Sequence, residues 1–354
     1  MLRSIEVDAD DVQRVLREQG WSDGLPVVAS TPKRVDAAVE LTGLAADTVL
    51  GVLPPSLATV TVEKVAVCAV LAGCDPEAMP VVTAAVRALL HDDFRVGSVQ
   101  SSTSPATPLV VVNGPEAAAA GVESGEGCFG PGVGANAAIG RAVRLVMALV
   151  GDARPGRGDP ATLGMPAKVG ACFAEREAAS PWPSLAARRG FGDADGAVTV
   201  FAITGCWQIS EPSGAVDDVV HQVLHGMISP GQCSQPRLPQ SGEQLLLVSP
   251  PIAAALARRH PDVNDLRRAL FDTVRIPMAW IPPYKRDATV ARLDELGIEW
   301  DGTHVPLAEG ADAFEVLVAG GDAGVQSMGM STLTLSRSVT MPIIGAARRD
   351  AAHG

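Results

Sequence analysis

Two histidines and an aspartate recur at every fourth position within residues 215–226. If this segment is helical, Asp217, His221 and His225 share one face, because residues four apart lie one above the other. Imidazoles at positions i and i+4 can share a divalent metal ion such as zinc, and a carboxylate one turn earlier supplies a third ligand. Cys233 follows closely and is the candidate fourth ligand. The segment therefore predicts a metal site, and an exposed helix face that binds nothing is the alternative. The pattern lacks the glutamate of the H-E-x-x-H signature of zinc proteases.

Two cysteines stand where a thiol could act as a nucleophile. Cys206 follows a predicted buried strand, and Cys128 lies inside a glycine-rich segment. A thiol near helix N-termini has a lowered pKa and can serve as a nucleophile or a redox group. Both are candidate catalytic residues, with a buried cysteine that only packs as the alternative. The chain has no C-x-x-C pair, so its six cysteines are expected to be free thiols.

Residues 123–151 predict an anion site. Five glycines fall within ten residues of this stretch, and an apolar-periodic helix follows at once. Glycine lets a ligand approach the backbone closely, and a helix start favours negative charge. The alternative is a tight turn that binds nothing. The candidate substrate-binding residues come from this stretch, from the end of a predicted strand and from a hydroxyl-rich C-terminal segment: Asn113, Gly132, Gly134, Asn136, Arg141 and Arg337.

Better-known motifs are not matched. No Gly-Lys-Ser/Thr follows the glycines, so a Walker A loop is excluded. Residues 130–135 fit the form G-x-G-x-x-A, but no apolar strand precedes them, which argues against a nicotinamide or flavin site. No G-x-S-x-G elbow is present either.

Composition limits the class of protein. The chain is 47% hydrophobic and 19% charged, values typical of a globular protein, and its net charge is −12. This charge, together with a single tyrosine, argues against a nucleic-acid partner. No secretory or membrane-spanning stretch is found, so we expect a soluble, cytoplasmic protein with no membrane partner. The residue usage resembles that of a high-GC bacterium, and acidic chains of this kind are expected to form homo-oligomers.

The elements that position these residues alternate along the chain. Apolar runs at 109–112, 198–203, 245–248 and 314–319 predict buried strands, and amphipathic helices lie between them. The fold class is therefore α/β, with mixed or parallel sheets, flanking helices and two lobes. Residues 96–104 are polar and are predicted to be extended. A linker rich in glycine, proline and charge at 151–164 sets the predicted boundary between a helix-rich α/β lobe, 1–155, that carries the glycine loop, and a C-terminal α/β lobe, 156–354.

Several motifs together resemble a family of uncharacterised bacterial proteins. The matching pieces include DGLPV at 23–27, VNGP at 112–115 and GANAAIGRA at 134–142, and the likeness extends over nearly the whole chain. The family is distantly associated with UGSC-type selenoprotein domains. At the corresponding glycine turn this chain has DAGV at 322–325, without selenocysteine or cysteine. The resemblance implies an intact enzyme-like fold and supplies no activity.

Two functions follow from these observations. The first is a bacterial enzyme of the lyase or hydrolase type that acts on a small anionic metabolite. The glycine-rich loop would hold the anion, and a cysteine or a metal would supply the chemistry. The alternative is a non-catalytic ligand-binding protein or a partner subunit of a metabolic complex, which needs the loop but neither the thiol nor the metal.

Overall fold

The computed structural model describes residues 5–192, 195–235 and 237–345. Helices and strands alternate through these ranges in an α/β arrangement. The α-helices are α1 Val12–Glu18, α2 Pro32–Glu40, α3 Val62–Ala72, α4 Met79–Leu89, α5 Val96–Gln100, α6 Glu116–Ala119, α7 Asn136–Leu145, α8 Leu185–Arg188, α9 Val216–Gly226, α10 Pro250–Ala257, α11 Val263–Thr273 and α12 Pro283–Leu296. The strands are β1 Val49–Leu53, β2 Ala58–Thr61, β3 Thr107–Asn113, β4 Arg154–Pro155, β5 Gly158–Asp159, β6 Cys172–Ala174, β7 Ala197–Ser210, β8 Gln244–Val248, β9 Arg275–Pro277, β10 His304–Pro306, β11 Phe314–Val318, β12 Gln326–Thr332 and β13 Val339–Pro342.

The chain forms two compact units that are not simple halves of the sequence. Unit 1 comprises Met1–Ala174, Ala186–Ala202 and Ser338–Gly354, and unit 2 comprises Glu175–Leu185 and Ile203–Arg337. The predicted linker at 151–164 lies inside unit 1. The boundary that the sequence predicts at 155/156 therefore does not separate the two units.

Unit 1 is built around helix α3, of which eight of the eleven residues are buried. Helix α3 packs against α2, α4 and α7, and α7 also packs against strands β3 and β6. Strand β3 is buried along its whole length and pairs in parallel with β6, while the first part of β7 pairs antiparallel with β13. A close backbone crossing joins α7 to the segment before β6. A Cβ on Gly140 would lie 2.3 Å from the nitrogen of Ala171, so only glycine fits there.

Unit 2 contains strands β8, β11 and β12 and the second part of β7. Strands β11 and β8 are parallel, and β12 runs antiparallel to both β8 and the second part of β7. The seven-stranded sheet follows the order β11-β8-β12-β7-β3-β6, with β13 on β7. Apolar residues of α9, α10 and α11 form the buried core of this unit together with the strands. Because each helix has an apolar stripe, it buries that side against the sheet and exposes the other.

The predicted fold class, a mixed sheet with flanking helices, is confirmed, as are the predicted strands at β3, β8 and β11. Two local predictions are wrong. Residues 96–104 begin with helix α5 because Val96 and Val99 are buried on one side of it. Strand β7 does not end at residue 203 but continues to Ser210, because β12 pairs with its second part. In the described ranges, no helix combines the length and the apolar character needed to cross a bilayer.

Candidate functional site

Unit 1 contains a cavity of about 650 Å³ between the start of α2 and the end of α3. Gly73 ends α3 with a φ of +90°, and the reversed chain brings Cys74 and Asp75 into the cavity wall. The N–H of Cys74 donates to the carbonyl of Ala69 at 2.9 Å, which fixes this turn. The lining residues are Val28, Thr31, Lys33, Arg34, Ala37, Ala38, Val70, Gly73, Cys74, Asp75 and Pro76.

Two cations dominate the electrostatics of this cavity. Lys33 and Arg34, called here the cation pair, occupy the first turn of α2, and Asp75 is the one acidic residue in the lining. Within the described ranges neither cation forms an ion pair, and Arg34 donates only to the carbonyl of Ala29, at 3.0 Å. A helix N-terminus is itself positive, so cations are disfavoured there unless an anion joins them. The cavity therefore has an unbalanced positive side in a protein of net charge −12.

A partly exposed ion pair adjoins the same turn. Nε and Nη2 of Arg141 donate to the two carboxylate oxygens of Asp23 at 2.8 and 2.7 Å. Burial alone would raise the pKa of Asp23, but the hydrogen bonds and charge of Arg141 outweigh it, and the pKa is lowered. Burial raises the pKa of the Cys74 thiol to about 12; the charge of Asp75 adds to this rise, and that of Arg141 opposes it. The Cys74 thiol is therefore protonated at neutral pH.

Sequence reasoning missed this cluster although it had noted its parts. Asp23 and Arg141 come from two motifs far apart in the chain, and Cys74 lies in neither of them. The cation pair was not singled out. The available signal was the pair of adjacent cations directly after Thr31-Pro32, a helix start at which acidic residues are the usual choice.

The glycine loop, residues 123–135, is held together by Asn136. The Asn136 side chain accepts a hydrogen bond from the N–H of Glu123 at 2.8 Å and donates to the carbonyls of Glu123 and Cys128 at 2.9 and 2.8 Å. Asn136 is 1% exposed. Its amide is thus fully engaged in fastening the loop, and Arg141 is engaged by a carboxylate. In this conformation these two of the four side chains expected to bind substrate have partners within the protein.

The remaining residues of the predicted anion site either shape the backbone turn or are buried. Gly134 has a φ of +46°, and a Cβ there would lie 2.2 Å from the carbonyl oxygen of Gly121, so the turn requires glycine. Gly132 also has a positive φ, +88°. Cys128 is buried within the loop, and Asn113 is the buried last residue of β3. The two loop glycines therefore shape the turn itself.

Besides the predicted metal ligands, two predicted site residues lie in unit 2, outside any described cavity lining. Cys206 stands in the middle of β7, opposite Met330 of β12, and is exposed. Partial desolvation raises the pKa of its thiol, so the lowered pKa expected for a strand-end nucleophile is wrong. Arg337 is half exposed and lies 4.0 Å from a carboxylate oxygen of Glu309.

The predicted metal ligands do not form one cluster: the two histidines contact each other, and Asp217 contacts Arg259. His221 and His225 stack on the exposed side of α9, with ring centroids 4.1 Å apart. Asp217 accepts a hydrogen bond from Nε of Arg259 at 2.9 Å. The side chain of Cys233 lies outside the described part of the structure. Among the described residues, no three His, Cys, Asp or Glu side chains are grouped to hold a metal ion.

Comparison with known proteins adds no family. No protein-family model matches the chain, and a search of curated proteins finds no match. The likeness to a family of bacterial proteins, based on the DGLPV, VNGP and GANAAIGRA motifs, therefore stays a prediction from sequence.

Proposed function

We propose that this protein binds a small anionic metabolite in the unit 1 cavity. The observation that carries the proposal is the cation pair, Lys33 and Arg34, which faces the cavity without a carboxylate partner in the described ranges. Placing two cations in the first turn of a helix costs stability, and a bound anion would offset that cost. We therefore assign the anion site to the start of α2 and not to the glycine loop that the sequence predicts. Glu123 and Glu126 add negative charge to that loop.

The cavity lining indicates the kind of anion. A volume of about 650 Å³ is in the range of small-molecule sites. Beside the cation pair the wall is apolar, formed by Val28, Val70 and Ala38. A carboxylate or phosphate group would lie against the cations, and an aliphatic part of the same molecule against the valines. We therefore expect an organic anion rather than an inorganic one.

The second candidate function is an enzyme of the lyase or hydrolase type that acts on this anion. The feature that favours it is the pairing, in one cavity wall, of the Asp75 carboxylate with the protonated Cys74 thiol. A carboxylate can take a proton from a bound substrate and a thiol can return one, which is the requirement for general acid–base catalysis. A non-catalytic binding protein would need the cation pair alone.

Anion binding is tested by titration calorimetry of the full chain with a panel of short-chain carboxylates and phosphate monoesters. The double variant Lys33→Gln/Arg34→Gln is expected to weaken the binding of any ligand found by about tenfold or more. Arg87→Gln, an exposed cation of the same unit outside the cavity, is the matched control and should bind normally. Affinity should also fall with salt, because the cations are exposed. Binding that is equal in all three proteins would refute the proposal.

Catalysis is tested separately, with a ligand from that panel. Asp75→Asn and Cys74→Ser are expected to abolish turnover while binding is retained, if the enzyme hypothesis is correct. Product analysis shows whether the wild type converts any ligand that it binds. Tight binding without conversion of any ligand would favour the non-catalytic function. Since the cation pair is unchanged in both variants, loss of turnover with binding retained is distinguishable from loss of binding.

A further inference from the structure

The exposed side of helix α9 carries two stacked imidazoles, called here the histidine pair. The rings of His221 and His225 have centroids 4.1 Å apart and planes inclined by 29°. The helix buries Val219, Val223 and Leu224 on its other side. Both histidines are exposed, so a small ion in solvent reaches them directly.

The backbone sets the proton of one ring. Nδ1 of His225 lies 2.8 Å from the carbonyl oxygen of His221. A carbonyl only accepts, so Nδ1 of the neutral ring carries the hydrogen and Nε2 keeps a free lone pair. Metal-binding histidines commonly have this arrangement, in which the second nitrogen donates to a carbonyl and fixes the tautomer. No hydrogen bond holds the His221 ring in the described structure, so that ring can rotate toward a shared ion.

The neighbouring carboxylate, that of Asp217, already forms an ion pair. Asp217, one turn earlier on α9, is paired with Arg259, whose Nε lies 2.9 Å from Oδ1. The protein ligands on this surface are therefore two nitrogen atoms. Imidazole suits Cu²⁺, Ni²⁺ and Zn²⁺, whereas Mg²⁺ and Ca²⁺ require oxygen ligands.

We propose that the histidine pair chelates one borderline divalent transition-metal ion, with water in the remaining coordination positions and without Asp217. In the stacked arrangement the lone pairs of the two rings point side by side and do not converge on one point. Binding of a shared ion therefore requires rotation of the exposed His221 side chain, a motion that takes picoseconds to nanoseconds. This site belongs to unit 2 and is independent of the anion proposal for unit 1.

The test is calorimetric titration of the untagged full chain with Ni²⁺, in a Cys206→Ser background that removes the exposed thiol. We expect one Ni²⁺ per chain, and about a tenfold or greater loss of affinity in His221→Ala and in His225→Ala. His304→Ala, an exposed histidine on another element, is the matched control and should bind as the parent does. Asp217→Asn should also be unchanged.

Three results with Ni²⁺, and a fourth with Mg²⁺, would overturn the proposal. The first is no saturable binding of Ni²⁺ by the parent protein. The second is parent-like affinity in the double variant His221→Ala/His225→Ala, with circular dichroism showing that both proteins are folded. The third is a loss in Asp217→Asn as large as that in the histidine variants, which would indicate a three-ligand site. Mg²⁺ in place of Ni²⁺ should produce no binding heat, and a saturable Mg²⁺ isotherm would equally contradict a nitrogen site.

Discussion

Asn136→Ala is expected to open the glycine loop without abolishing anion binding. The substitution removes three hydrogen bonds that join the start of α7 to the backbone of Glu123 and Cys128, all between 2.8 and 2.9 Å. Each contributes about 1 kcal/mol net, and a buried group left without a partner costs about 1–3 kcal/mol more. The local opening free energy of the loop should therefore fall by about 3 kcal/mol or more, a substantial part of the stability of an ordinary domain.

Hydrogen exchange measures this change directly, because the N–H of Glu123 is itself one of the three donors. A loss of about 3 kcal/mol corresponds to exchange about a hundredfold faster at that amide. Asn264→Ala is the matched control: this asparagine is exposed and accepts only one long hydrogen bond, at 3.4 Å from Arg267. Tryptophan fluorescence is a poor substitute, since Trp21 is the one tryptophan of unit 1.

Two results would refute this account of Asn136. Unchanged exchange at Glu123 would mean that the three bonds do not hold the loop. Loss of anion binding with normal exchange would mean that Asn136 contacts the ligand, as the sequence predicts. The expected outcome is fast exchange with anion affinity retained, because the cation pair lies on a different helix.

Three further predictions concern charge and thiols. Asp159→Ala should lower the stability of unit 1 by about 3–5 kcal/mol in urea unfolding, because two largely buried cations lose their shared carboxylate; a loss below about 1 kcal/mol would contradict this. Cys206→Ser should remove a rapid phase of labelling by a disulfide reagent, since Cys206 is the exposed cysteine among those described, and the raised pKa of its thiol should keep that phase slower than for a free cysteine. The pKa of Asp23 is lowered on folding, so its pair with Arg141 stabilises the protein fully above the unfolded pKa of about 3.9 and is lost as the pH falls through the folded pKa. The stability difference between wild type and Asp23→Asn should therefore shrink in that acid range, and a constant difference would refute the assignment.

Most of the helices could be predicted from local sequence. The apolar spacing predicts helices at 60–72, 215–226, 262–271 and 286–296, and α3, α9, α11 and α12 begin and end within three residues of these bounds. An apolar stripe at helical spacing can be recognised in any short window of sequence. The stretch at 96–104 could not be read this way. Its glycine and serines favour an extended chain, and the burial of Val96 and Val99 overrides that preference.

For the strands, too, local sequence identifies only the elements that are apolar by themselves. Buried apolar runs identified β3, β8 and β11, but β12 and β13 were not predicted, because their small and polar residues resemble loops. They become strands by pairing with β8 and β7, and those partners are distant in sequence. The second part of β7 was missed for the same reason, because it becomes a strand by pairing with β12.

The sequence by itself determined the α/β class, the glycine turn before α7 and the acidic, globular character of the chain, since each depends on neighbouring residues or on composition. The tertiary structure decided which side chains meet. Arg141 pairs with Asp23 across 118 residues, and Asn136 fastens the loop that it was expected to serve as a binding residue. Only packing determines such partners, because a polar group that becomes buried must find its hydrogen bonds among whatever the fold brings near. Lys33 and Arg34, by contrast, are adjacent in the sequence, and the fold supplies the cavity that they line.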